Sequence, residues 1–484
     1  MTSSSQTTRN TRRLILVAIG LVALFLTYHL ILRGLMLYTD LTLGAVGPGT
    51  KVYRLVPLYA YVDVHWKTGL LIAAAVLMLA GRSLWRLLER TTDGMMSETC
   101  LVARLTLWFL AVVVAVAMID GGISRLWRPF RLLEDTDYIG GVKHVDSPRA
   151  FLREYAQILP ILPDHCRTHP PGAVLFLWTV EKAVAGGPEA ASVATILFAA
   201  LGVPAVFLQS RDLLGRRRAI LATFLFLTAP NVVLFTATCM DAVFFVFFAW
   251  TFYFLWSGRR EHSWSFGILG GLAASLAAFF TFSAAILALW AVIVWLATLF
   301  LDRTHFASTT KTLFASAVAA LCFYGILAAC CGYHLIEVLQ AAVDQHRAIM
   351  SGGGHETLRQ HLHLTIANVV AFGFGSGVAC VALPLTTPAF ARENGDAADT
   401  ANGGRRTVDL FAWCFAATLF LTAALPLYTL EVERIWLFFV PLLAISAVRR
   451  LDSNASDFRQ LALTAFSLQA AQTGVMEVLL CTIW

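Results

Sequence analysis

Arg12-Arg13-Leu14-Ile15-Leu16-Val17-Ala18-Ile19-Gly20-Leu21-Val22 opens an apolar run that continues to Leu32. A helix needs roughly 20 mostly apolar residues to cross a bilayer. This run has that length and follows Arg9, Arg12 and Arg13. No small-residue cleavage site lies behind it, so it reads as a retained first membrane helix and not a removed signal peptide. The same pattern recurs along the chain. Of its 484 residues, 58% are hydrophobic and 14% charged, with a mean hydropathy of +0.71. A soluble domain carries roughly 25% charged residues. The chain therefore reads as an all-α polytopic membrane protein with no evident water-soluble domain.

The net charge of +6 is not a nucleic-acid signature. The basic residues sit in short clusters between apolar runs: Arg82/Arg86/Arg90, Arg216/Arg217/Arg218, Arg259/Arg260, Arg405/Arg406 and Arg449/Arg450. That is the positive-inside pattern. With the N-terminus inside, thirteen spans are expected, near residues 14–38, 68–81, 102–119, 191–210, 219–238, 242–256, 265–282, 284–301, 312–332, 364–385, 408–428, 436–448 and 459–480. This threading places every Arg cluster on one side and the C-terminus outside. Segment 173–186 carries Glu181 and Lys182 and ends at Gly186-Gly187-Pro188, which suits a re-entrant or interfacial helix better than a span. Arg outnumbers Lys and Ala is abundant, which points to a high-GC bacterial source and an inner-membrane location. The nine Cys show no metal-ligand spacing and read as buried thiols.

The expected outer face holds loops 120–172 and 333–363. The first contains an amphipathic stretch, Ser147 to Ile161, of the kind that lies flat on a membrane. The second is rich in His and has a Ser351-Gly352-Gly353-Gly354 tip. The inner piece 388–407 reads as a polar connector. No phosphate-cradling Gly loop is present, which argues against an ATP-driven machine.

Carboxylates at a bilayer edge are costly, so the acidic knot Glu134-Asp135-Thr136-Asp137-Tyr138 is the first place to look for chemistry. Close carboxylates raise one another's pKa, so one can act as base while another holds a cation or a hydroxyl. The plain alternative is a solvated loop whose acids cap a helix. His169-Pro170-Pro171-Gly172 ends the loop, and its two prolines fix the backbone where an apolar helix begins. Asp241, in a tight turn after Cys239-Met240, is either an N-cap or a site residue. Glu431-Val432-Glu433-Arg434 leads into Trp436 and a late apolar helix. Arg434 can grip a lipid phosphate with its planar fork, or pair internally with Glu433 or Glu431.

This order of motifs resembles the C-type (GT-C) glycosyltransferases, including the protein O-mannosyltransferases and the lipid A aminoarabinose transferase. Asp135-Thr136-Asp137-Tyr138 also looks like the Asp-x-Asp-Tyr of the glycosylphosphatidylinositol mannosyltransferases. The similarity covers roughly residues 100–260 well. It implies a GT-C-like catalytic domain over 102–484, preceded by a two-helix membrane segment, 1–101. It also implies a sugar donor on a polyprenyl phosphate, a lipid, glycan or protein acceptor, and inverting transfer on the outer face. By the resemblance Asp135 matches the base and Asp137 the second acid. In the Asp-Glu-x-x-Tyr register, Glu134 and Asp135 fill those places. His169, Tyr138 and Asp241 match substrate-side positions, and Arg434, with Glu433 beside it, matches the phosphate-binding base. The resemblance leaves metal dependence open; if a divalent cation such as Mg or Mn is used, Asp135 and Asp137 are its ligands. Two extra helices, Gly172 in place of a usual Leu, and no large outer C-terminal domain depart from the family pattern. The competing class is a lipid-linked sugar flippase or secondary transporter, which would place ionisable groups in broken helices, often with an inverted repeat.

Overall fold

The computed structural model describes residues 3–39, 41, 54–64, 67, 69–90, 96–237, 239–349, 357–386, 400–429 and 431–482. The Gly352–Gly354 tip, His355 and most of the 388–407 connector lie outside the described residues. The described chain is almost wholly helical. Its one sheet is a short antiparallel pair, Ala60–Val62 with Leu480–Thr482.

Among the described residues eight helices are long and apolar enough to cross a membrane, or nine if one bent pair counts as a span. The expected thirteen is therefore not reached, for identifiable reasons. Residues 219–238 are broken by Pro230 into Arg216–Leu227 and Pro230–Phe235. Residues 364–385 become Leu358–Gly375 and Val378–Thr386, bent by 94°. Trp264–Phe280 has 17 residues, and Val440–Val448 only 9. Phe458–Leu479 is long enough but carries Gln469, Gln472, Thr473 and Glu477. Gly172–Val184 has 13 residues, about 20 Å at 1.5 Å per residue, against a hydrocarbon core of about 30 Å. By length it does not span.

The chain divides into two compact units. The first comprises Met1–Ile123, Val203–Thr236 and Gly352–Trp484. Its two broken helices expose backbone groups that lipid cannot satisfy, and Phe458–Leu479 supplies the partners. The Gln469 amide donates to the carbonyls of Ser376 (2.7 Å) and Leu225 (3.2 Å). Gln472 accepts from Val378 N–H (2.7 Å) and donates to Phe374 (2.8 Å). Thr473 donates to Thr228 at 2.7 Å. At the bend Gly377 has φ 103° with the Gln469 carboxamide against its Cα, a place only glycine fills. The basic clusters of this unit gather at one end. Arg218 bonds the Arg449 carbonyl, Arg216 that of Met96, and Arg449 bonds Asp409. Their placement together matches the sequence expectation that these clusters share a side.

The second unit comprises Ser124–Gly202 and Ala237–Ser351. Its membrane helices include Asp241–Glu261, Trp264–Phe280, Ala285–Leu301 and Phe306–Cys331. Trp264–Phe280 lies on Phe306–Cys331 through Gly267 and Gly271; a Cβ on Gly267 would come within 2.6 Å of Thr312 O, and one on Gly271 would strike Ser316 O. Small residues four apart permit such close backbone approach in membranes. Arg259, expected as part of a surface cluster, is 1% exposed and paired with Asp302. Burial alone would raise the Asp302 carboxyl, but bonds from His305 and Thr304 and the Arg259 charge hold it below the usual range. The stretch Ser147 to Ile161 forms the helix Pro148–Ile158, capped by Ser147. Its apolar face, Phe151, Leu152 and Tyr155, is buried in the protein core of this unit and not turned to lipid as expected.

Replacing Gly271 by Leu forces a branched side chain into that backbone contact. Overpacking of this kind costs about 1–3 kcal/mol. Thermal unfolding in detergent should show Gly271→Leu melting below wild type, and an unchanged midpoint would deny the close packing.

Candidate active site

The acidic knot lies between two short helices of the second unit, Arg128–Leu132 and Tyr138–Gly141. Its backbone folds back on itself: Thr136 N–H (2.9 Å) and Asp137 N–H (2.7 Å) both reach the Leu133 carbonyl. The Thr136 carbonyl accepts from His165 N–H at 3.0 Å, tying the knot to the end of its loop.

This geometry separates the three acids. Asp137 is 3% exposed and N-caps Tyr138–Gly141, its carboxylate accepting from Tyr138 N–H at 2.7 Å. His165 Nδ1 lies 3.3 Å from the same oxygen. Glu134 and Asp135 are exposed. Neither makes an ion pair or side-chain hydrogen bond within the described chain, so Asp135 is a free carboxylate beside a committed one. The helix-capping reading thus holds for Asp137 alone.

Tyr138 is the hub of the surrounding aromatics. Its ring meets His169 edge-on at 5.5 Å, Phe244 at 6.1 Å and His165 at 5.8 Å. His169 stacks on Phe244 at 6.4 Å. Its Nδ1 lies 3.0 Å from the His165 carbonyl and 3.1 Å from the Thr168 hydroxyl. The His169 carbonyl receives the Tyr155 hydroxyl at 3.0 Å. Pro171 then starts Gly172–Val184. Gly172 is sterically required: a Cβ there would sit 2.5 Å from Phe279 O.

Asp241 does not N-cap its helix. Met240 holds that position, and Asp241 lies in the first turn, taking a hydrogen bond from the Cys239 thiol at 2.6 Å. Asp241 and Phe244 are three residues apart on one helical face. The face that carries Asp241 is therefore the one packed on Tyr138 and His169.

The knot also borders a cavity of about 250 Å³, lined by Glu134, Gly140, Lys143, Leu177, Glu181 and Gly187 among others. Glu181 accepts from Gly187 N–H at 2.8 Å. Lys143 makes no hydrogen bond or ion pair within the described chain, which leaves a free cation near Glu134. His165 and Lys143 were not singled out from sequence. The spacing of His165 four residues before His169 was the available signal. Cys166, beside them, is fully buried; burial and then the Asp137 charge push its thiol well up, which makes it inert.

Arg434 and Glu433 belong to the first unit. Arg434 pairs with Glu431 at 2.7 Å, and its charge also acts on Glu433. Glu433 is 5% exposed and accepts from Tyr59 N–H at 2.5 Å. Burial pushes its carboxyl up to about 7, against the pull of that N–H. Among the described residues no group of three or more His, Cys, Asp or Glu could hold a metal ion. With Asp137 committed to its cap, the Asp135/Asp137 pair does not fit a cation site, and no step below passes through one.

Residues 168–328 match the family model described as dolichyl-phosphate-mannose-protein mannosyltransferase. The match covers about a third of the chain. It includes His169, the two prolines and Asp241, while the acidic knot and Arg434 lie outside it. No curated protein matches the chain.

Two substitutions in the first unit separate structural from ligand-binding roles. The folded-state value of Glu433 lies above its ordinary 4.5, so its contribution is fully present below about pH 4.5 and is lost as pH rises to about 7. Glu433→Gln keeps the oxygen that faces Tyr59 and should flatten that part of the pH–stability profile, with a midpoint at pH 8 no lower than wild type. A profile identical to wild type would contradict it. Arg434→Ala should lower the melting temperature, by about 1–3 kcal/mol in stability, because it strands Glu431. A Glu431→Gln/Arg434→Gln pair should recover most of that loss.

Proposed function

We propose that this protein is a membrane glycosyltransferase of the C type, moving a sugar from a polyprenyl-phosphate donor to an acceptor hydroxyl at the outer face of a bacterial inner membrane. The observation that carries the reading is the free, exposed Asp135 in a loop clamped onto His169-Pro170-Pro171, the opening of the segment that matches a lipid-phosphate-sugar transferase family. A base at a membrane edge needs to be ionised, accessible and rigidly carried. Asp135 has solvent on one side. The capped Asp137, the His165 tie and the Tyr138 ring cluster hold its backbone.

In this reading the Asp135 carboxylate takes the proton of the acceptor hydroxyl. The hydroxyl oxygen attacks the anomeric carbon from the face opposite the phosphate, the bond from that carbon to the phosphate oxygen breaks, and the polyprenyl phosphate leaves with inversion at the sugar. In the same reading Asp241 and His169 hydrogen-bond sugar or acceptor hydroxyls. The leaving phosphate needs a cation to meet its developing charge. Arg434 takes that role in the resemblance, and Arg434→Lys tests it: the charge stays while the planar fork is lost, so donor saturation should weaken with little change in melting.

A flippase or secondary transporter is the second reading, and one observation favours it. The first unit has two broken helices packed with buried amide side chains, a feature of transport sites. Transfer of sugar by purified protein, with a panel of polyprenyl-phosphate sugars, separates the two.

Asp135→Asn should leave melting intact and reduce turnover by roughly 10²–10⁴, the contribution of a general base. Near-normal transfer by this variant would end the assignment and pass the role to Glu134. For sidedness, single cysteines at Asp146 and Arg450 should label from opposite faces of sealed vesicles; labelling from one face would overturn the threading.

A further inference from the structure

The first unit contains a long groove lined by none of the residues named for transfer. It has a volume of about 850 Å³ and runs between Leu70–Arg90 and Phe458–Leu479. Its walls are almost entirely apolar, and small residues, among them Ala74, Ala471 and Gly474, keep it open. A side chain added at Gly474 would meet nothing within 4 Å, so empty space runs right up to that helix.

One end of the groove is different. Arg82 and Trp85 line it there. Arg459 lies over the Trp85 ring at 4.9 Å and bonds Glu89 at 3.1 Å. Arg82 is exposed and makes no hydrogen bond or ion pair within the described chain. A guanidinium left unpaired at the mouth of an apolar channel suits a phosphate, which it can grip with two charge-assisted bonds. Trp beside it suits the headgroup level of a bilayer.

The length sets the occupant. From Arg82 to Leu70 is twelve residues, about 18 Å of helix. That is close to one leaflet, half of a hydrocarbon core about 30 Å thick. An anionic phospholipid would place its phosphate on Arg82 and lay an acyl chain along the groove toward Leu70 and Leu479. A polyprenyl chain spanning both leaflets would overrun it. Arg82 belongs to the basic clusters expected on the cytoplasmic side, so the bound lipid would come from the inner leaflet, opposite the face proposed for transfer.

We infer that this groove is a binding site for an anionic phospholipid of the inner leaflet, held by Arg82 through its phosphate and by the Leu70–Arg90 and Phe458–Leu479 helices through one acyl chain. The inference does not rest on the transferase reading.

Native mass spectrometry of the full chain, with added phosphatidylglycerol or phosphatidylcholine, tests it. Wild type should retain phosphatidylglycerol in preference to phosphatidylcholine and melt higher with it. Arg82→Gln should weaken phosphatidylglycerol binding by about tenfold or more, since both charge-assisted bonds go and a neutral amide remains, and erase the preference. Gly474→Leu places a side chain in the groove from a position where an added Cβ meets nothing within 4 Å, and it replaces glycine within a helix. It should lose the bound lipid while melting no lower than wild type in lipid-free detergent. The proposal is overturned if Gly474→Leu retains phosphatidylglycerol like wild type, if Arg82→Gln keeps the preference, or if the groove takes polyprenyl phosphate in place of phospholipid.

Discussion

Peptide groups released by a break in a membrane helix must find partners inside the protein, because lipid offers none. In the first unit this constraint is met by three side chains on one helix. Gln469, Gln472 and Thr473 bond the backbone freed at Thr228 and around Ser376. These polar residues make Phe458–Leu479 too hydrophilic to pass as a simple span, and they bond the backbone of both broken helices. The bend at Gly377, the Pro230 break and the polarity of the last helix are three aspects of one arrangement.

The second unit solves a different problem, carrying a charged loop rigidly. Asp137 and Asp135 are two residues apart and have opposite fates. Asp137 turns inward, caps a short helix and faces His165. Its burial is tolerable because the N–H of Tyr138 and the ring of His165 replace lost water. Asp135 is left outside with its charge uncommitted. One acid fixes the loop and the other is presented by it. Tyr138, between His169 and Phe244, ties that loop to the helix bearing Asp241.

Charges elsewhere follow the same economy of partners. Arg259 sits 1% exposed because Asp302 lies against it. An unpaired guanidinium in that position would be strongly destabilising. For Glu433, burial outweighs the Tyr59 N–H at 2.5 Å and the nearby Arg434 charge, and its proton affinity rises accordingly.

The membrane class, the helical make-up and the gathering of Arg clusters were legible in the sequence, since composition and charge follow directly from what a bilayer tolerates. So was the acidic knot as the place to look. The number of spans was not, because apolar length says nothing about a 94° bend or a break at Pro230 that distant glutamines satisfy. The amphipathic stretch from Ser147 looked like a membrane-surface helix, yet its apolar face lies in a protein core; periodicity gives a buried face but not what buries it. The division of labour between Asp135 and Asp137, the partner of Arg434, and the placement of His165 were decided by the tertiary structure alone. Each depends on which group arrives within about 3 Å, and that is fixed by packing between segments far apart in the chain, while the local sequence of Glu134-Asp135-Thr136-Asp137-Tyr138 is the same whichever acid turns inward.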